Sequence, residues 1–153
     1  MINRIKKILA EHDNAIKVLE ENSHVIEKIT SICKNTLQKG NKIFFFGNGG
    51  SAADAQHLAA EFVGRFQKNR EPLAALALSV NTSILTAVGN DFGFKKVFSR
   101  QITSLAKKSD VAIGISTSGN SPNVIEAFVE AKRLGLDTIA FLGKDGGEIA
   151  KIV

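Results

Sequence analysis

Two clusters of small polar residues are suited to meeting a ligand, and the first of them to holding an anion. The run Ser116-Thr117-Ser118-Gly119-Asn120-Ser121-Pro122 carries four hydroxyls, and apolar residues at Val124, Ile125, Ala127, Phe128 and Ala131 follow it at helical spacing. Pro122 suits a first helical position because its missing N–H would be unpaired there anyway, which makes Ser121 the natural N-cap. Hydroxyls beside free backbone N–H groups at the positive end of a helix form a site for phosphate. A plain loop with a cap would account for Ser121, but not for Ser116, Thr117 and Ser118 before it.

The second cluster is Gly47-Asn48-Gly49-Gly50-Ser51, which runs directly into Ala52-Ala53-Asp54-Ala55. Glycines after a strand let the backbone turn sharply and approach a ligand, while Ser51 either caps the helix or offers its hydroxyl to a pocket. The pattern is neither the dinucleotide fingerprint nor a P-loop, since no Gly-Lys-Ser/Thr follows. On the helix that starts here, His57 and Glu61 are four residues apart on one face, with Asp54 a turn earlier. Such a pair is an ordinary surface contact on most helices. Near a ligand, the carboxylate can take a proton beside a carbonyl, and the pair can give two ligands to a divalent metal. Asn90 and Asp91, within Val88-Gly89-Asn90-Asp91-Phe92-Gly93-Phe94, read as a turn whose loop position leaves ligand binding open.

These residues need a scaffold that brings several loops to one edge. From residue 42 onward, short apolar runs at Ile43 to Phe46, Leu73 to Leu78, Val111 to Ile115 and Thr138 to Leu142 alternate with helix-compatible stretches. Nearly continuous apolar runs of this length are those of parallel strands buried on both faces, so the expected fold is α/β with a doubly wound parallel sheet. In such sheets ligands bind at the carboxyl ends of the strands. Ahead of the sheet, Ile2, Ile5, Ile8, Leu9, Ile16 and Leu19, then Val25, Ile26, Ile29, Ile32, Cys33 and Leu37, predict two amphipathic helices broken at Asn22-Ser23 and closed by Gly40. They are expected to form an antiparallel arm over residues 1–40, with the sheet domain over 41–153.

Composition narrows the function. The 20 basic residues are scattered among 15 acidic ones with no run longer than a pair, so the net charge of +5 does not describe a nucleic-acid surface and suits a small anion equally well. No stretch approaches the roughly 20 apolar residues that span a bilayer, and there is no signal-peptide pattern, so a cytoplasmic location with no membrane partner is expected. Cys33, the single cysteine, reads as a small apolar filler.

Taken in order, Gly47-Asn48-Gly49-Gly50-Ser51, His57-Leu58-Ala59-Ala60-Glu61, Gly89-Asn90-Asp91-Phe92-Gly93-Phe94 and Ser116-Thr117-Ser118-Gly119-Asn120-Ser121 resemble the phosphoheptose isomerase branch of the SIS family. The resemblance runs from the N-terminal helices to Lys144-Asp145-Gly146-Gly147. It implies aldose–ketose isomerisation of sedoheptulose 7-phosphate through an enediol, toward bacterial heptoses, in a homotetramer that the arm helps to build. Glu61 matches the family's base. Asn48, Gly49, Gly50, Ser51, Asn90, Asp91, Ser116, Thr117, Ser118 and Ser121, with Glu61, match its substrate contacts. His57 matches a zinc ligand, and Glu61 can share that zinc. The family continues through a further strand and a long helix carrying a Gln and a His, the latter serving as acid and as zinc ligand; this sequence ends at Val153, as a truncated chain would. The alternative within the family is a non-catalytic sugar-phosphate-binding or partner-tethering protein, and the carboxylate at Glu61 favours the enzyme.

Overall fold

The computed structural model describes residues 1–153, which divide into two compact units, Met1–Ile32 and Cys33–Val153. In the first, α1 (Ile2–Glu21) is followed by the start of α2 (Ser23–Gln38). The predicted helices are present, but not as an antiparallel hairpin. A single residue, Asn22, joins them, and Val25 and Ile26 donate straight back to its carbonyl. An antiparallel turn needs a loop of about two to five residues. The apolar stripe from Ile2 to Ile26 is consequently solvent-exposed within this chain.

In the second unit, four parallel strands form one sheet in the order β2-β1-β3-β4. They are β1 (Ile43–Gly47), β2 (Ala75–Ala77), β3 (Val111–Ser116) and β4 (Asp137–Leu142). The expected α/β class and doubly wound sheet hold. The strand read over Leu73 to Leu78 is shorter than the apolar run, because the Leu73 N–H goes to the carbonyl of Phe62 and bends the chain away from the ladder. Between the strands lie α3 (Gly50–Val63), α4 (Thr82–Phe92), α5 (Ser99–Leu105) and α6 (Pro122–Arg133). No helix is long and apolar enough to cross a membrane.

Three successive phenylalanines show why β1 is central. Side chains alternate across a strand, so Phe45 points to one face and Phe44 and Phe46 to the other, and all three are buried. Phe45 meets Phe62 of α3 at a ring separation of 5.7 Å. On the opposite face Phe46 meets Phe98 at 5.7 Å and Phe128 of α6 at 5.2 Å. Gly114 of β3, the register partner of Phe46, makes room for this. A Cβ there would lie 2.6 Å from the Phe128 ring and 2.8 Å from that of Phe46.

At the opposite end of the strands from the polar loops, Asp110 is fully buried and accepts from the backbone N–H groups of Lys42 at 2.9 Å and Lys107 at 2.7 Å. It ties the entries of β1 and β3 together. On the surface between α5 and α6, Glu130 accepts two hydrogen bonds from Arg133 and one from Thr103. The Arg133 bonds above all hold its carboxyl down at about 2, against 4.5 ordinarily.

Two outcomes are expected. Gly114→Ala should cost about 1–3 kcal/mol of stability by overpacking, read from urea unfolding. Because the folded-state value for Glu130 is depressed, its contribution is present above the ordinary carboxylate value and lost as pH falls through about 2. The thermal midpoint should therefore drop across that interval, and Arg133→Met should flatten the drop.

Candidate active site

Strand order sets where the loops meet. From β1 the chain winds through α3 to β2 on one side, and from β3 through α6 to β4 on the other. The turn after β1 and the loop after β3 therefore flank one crevice, the position at which open parallel sheets take their ligands.

The first wall is the Gly47 to Ser51 turn. At Gly47 a Cβ would sit 2.8 Å from both the Ile115 carbonyl oxygen and the Ser51 Cβ, so β1 can only leave the sheet this close to β3 and α3 without a side chain. The N-cap of α3 is Gly49, with no side-chain capping bond. Of the two roles open to Ser51, capping is thus excluded. Asn48 is held by a partner that sequence reasoning did not single out: Asn48 Nδ2 donates to Asn123 Oδ1, and Asn123 Nδ2 to Asn48 Oδ1, both at 2.8 Å.

The second wall is the hydroxyl loop. Ser121 is the N-cap of α6 by position, as expected, but its hydroxyl does not cap the helix. It pairs with Ser116 Oγ at 3.2 Å instead. The Gly119 N–H donates to Ser116 Oγ and the Asn120 N–H to Ser118 Oγ, each at 3.2 Å. A hydroxyl has one proton to give. The Ser116–Ser121 pair uses one of its two, while Ser118 only accepts and Thr117 is exposed, so three hydroxyl protons are not used within the loop. Residues 146–149 brace the loop from behind through Glu148 N–H to Asn120 Oδ1 at 3.0 Å and Ile149 N–H to the Gly119 carbonyl at 2.9 Å.

His57 and Glu61 lie farther along α3, on the face away from the buried Ala55 and Ala59. His57 is exposed and Glu61 is half-buried, with 3.7 Å between Nε2 and Oε1, too long for a hydrogen bond. Glu61 Oε2 is buried and has no hydrogen-bond partner. Both residues line a groove of about 370 Å³ with Leu58, Phe62, Phe66 and Arg70. Arg70 donates to the carbonyls of Glu61, Phe62 and Glu71, pinning the last turn of α3 under the carboxylate. For zinc, the pair offers two donors, and no third His, Cys, Asp or Glu stands with them. A zinc ion takes three or four protein ligands, so these residues do not make the site by themselves.

Asn90 and Asp91 are not in a loop. Helix α4 continues through Phe92 and ends at Gly93, whose φ of 83° is the left-handed region, and the Asn90 side chain donates to Asp91 Oδ1 at 2.8 Å. The structure brings Asn48 to Ser51 together with the hydroxyl loop. It leaves Asn90 and Asp91 exposed, hydrogen-bonded to each other. Asn123 escaped sequence reading because, one residue after Pro122, it looks like any first-turn residue, and its partner is 75 positions away.

Gly119 has a φ of 65°, and a Cβ there would collide with the Gly146 carbonyl. Gly119→Ala should therefore strain the loop by about 1–3 kcal/mol. Titration with inorganic phosphate should show the anion affinity falling while far-ultraviolet circular dichroism stays unchanged.

Comparison with known proteins agrees with this geometry. The SIS domain family model matches residues 9–143. The phosphoheptose isomerase of Aquifex aeolicus is 52% identical over 153 residues, covering 99% of this chain and 80% of its own length. That of Nitratiruptor is 57% identical over 150 residues, covering 97% and 80%. Among solved structures, phosphoheptose isomerase from Neisseria gonorrhoeae matches with a TM-score of 0.79 at 43% identity, covering 97% of this chain and 79% of that one. The enzyme from Francisella tularensis matches with 0.85 at 32% identity, covering 96% and 79%. With a braced hydroxyl loop at the switch point of its sheet and these relatives across nearly its whole length, the chain belongs to the SIS domain family, in the phosphoheptose isomerase branch.

Proposed function

We propose that this chain is an aldose–ketose isomerase that converts sedoheptulose 7-phosphate to D-glycero-D-manno-heptose 7-phosphate, for bacterial heptose biosynthesis. The observation that carries this reading is the hydroxyl loop, braced and with free protons, facing a glycine turn across the switch-point crevice in a chain of this family. Ser116, Thr117, Ser118 and Ser121 hold the phosphate. Asn48, Gly49, Gly50 and Ser51 take the sugar from the opposite wall, and Asn90 and Asp91 are further contacts.

Glu61 is the base. Its carboxylate takes a proton from C1, and the C–H electrons form the C1–C2 double bond as the C2 carbonyl oxygen gains a proton, which gives the enediol. A proton returned to C2 and loss of one from the C1 hydroxyl complete the aldose. The buried, unpartnered Oε2 suits a group that has a proton to accept. Zinc enters this reading only as a group toward which His57 and Glu61 are two donors, and no step above passes through it. The working form is a cytoplasmic homotetramer.

A proton-NMR time course with sedoheptulose 7-phosphate tests the reading. Growth of aldose heptose phosphate signals is expected, and an unchanged ketose spectrum would count against it. Glu61→Gln should abolish product while the substrate signals still broaden on binding; retained turnover removes Glu61 from the role of base. Ser118→Ala should weaken substrate binding about tenfold, as loss of one hydrogen bond to a charged group does.

A further inference from the structure

One residue belongs to both walls of the crevice. Asn123 is in the first turn of α6, directly after the hydroxyl loop, and its side chain reaches the turn after β1. It is 3% exposed, so its amide has been taken out of water and needs partners. The partner is Asn48, through the two reciprocal 2.8 Å bonds.

We infer that Asn123 is a positioning residue, fixing the orientation of the Asn48 amide and with it the donor and acceptor that the crevice presents to a polyhydroxy carbonyl substrate. The substrate in this statement rests on the isomerase reading above; the positioning rests on geometry alone. A primary amide has two N–H donors and two lone pairs on oxygen. The reciprocal pair consumes one of each on Asn48, leaving one N–H and one lone pair pointing out of the closed ring. The terminal torsion of an asparagine is otherwise soft, and rotating it exchanges donor for acceptor. Inside the pair, Asn48 cannot turn over unless the buried Asn123 turns with it. The same two bonds fasten the start of α6 to the end of β1, so they hold the phosphate loop and the sugar-contacting turn at a fixed spacing.

Asn123→Ala and Asn123→Asp test this in the full chain. In the alanine variant Asn48 is free to rotate, and KM for sedoheptulose 7-phosphate should rise about tenfold with kcat little changed, because the contact binds ground and transition states alike. In the aspartate variant the carboxylate can accept from Asn48 but cannot donate, and it adds negative charge beside the phosphate loop. Its KM relative to the parent should be highest near about pH 8 and improve toward about pH 5, as a carboxyl raised by burial regains a proton to donate. The alanine variant should show no such trend. A purely structural role would lower the thermal midpoint of both variants with KM and its pH profile unmoved, and that result overturns the inference. Hydrogen exchange of the Asn48 side-chain NH2, followed by 15N NMR without substrate, supplies a readout independent of turnover. Protection should be present in the parent and lost in Asn123→Ala, and unchanged exchange overturns the positioning. If the parent itself does not act on sedoheptulose 7-phosphate, the isomerase reading fails, and the exchange measurement alone decides the role of Asn123.

Discussion

Bare backbone at Gly114 is the constraint on which this site depends. It lets the Phe46 and Phe128 rings meet over β3, and so seats α6 directly on the sheet beside β1. Phe46 is two residues before Asn48, and Phe128 is five residues after Asn123. The ring contact and the amide pair thus clamp the same two elements at successive points along their length. A side chain at Gly114 would lift α6, and the hydroxyl loop that leads into it would move with the helix.

Above that clamp the polar groups satisfy one another first and a ligand second. The Ser116–Ser121 hydroxyl pair, the Gly119 and Asn120 N–H bonds to serine oxygens and the strap from residues 146–149 set the loop without any ligand. Preorganised donors do not have to be ordered at the moment of binding, which makes them more effective toward an anion. The buried Asp110 does comparable work at the far end of the strands by holding the entries of β1 and β3 in register. Both ends of the strand pair that defines the crevice are therefore fixed by polar bonds, with the phenylalanine core between them.

Glu61 contrasts with this. Its Oε2 is buried without a hydrogen-bond partner, only His57 approaches its Oε1, and Arg70 secures its backbone and not its carboxylate. In the proposed reaction, a base that must accept and return a proton is better left uncommitted, whereas a loop that holds a phosphate is better fully braced.

The sequence alone determined the strands, the helix starts and the chemistry of the loops. Short, continuous apolar runs separated by glycine and helix-compatible stretches fit buried parallel strands, and Pro122 marks a helix start by its missing N–H. Local signals also misled: Leu73 left the strand for the Phe62 carbonyl, the Ser121 hydroxyl paired with that of Ser116, and α4 ran through Gly89, Asn90 and Asp91 before ending at Gly93. Only the tertiary structure decided that the turn after β1 faces the loop after β3, since strand order is set by packing and not by any one segment. Only it could show Asn123 bonded to Asn48, because two ordinary asparagines 75 positions apart carry no local mark of their meeting. Hydrogen bonds between segments depend on which surfaces the core brings together, and no single segment carries that information.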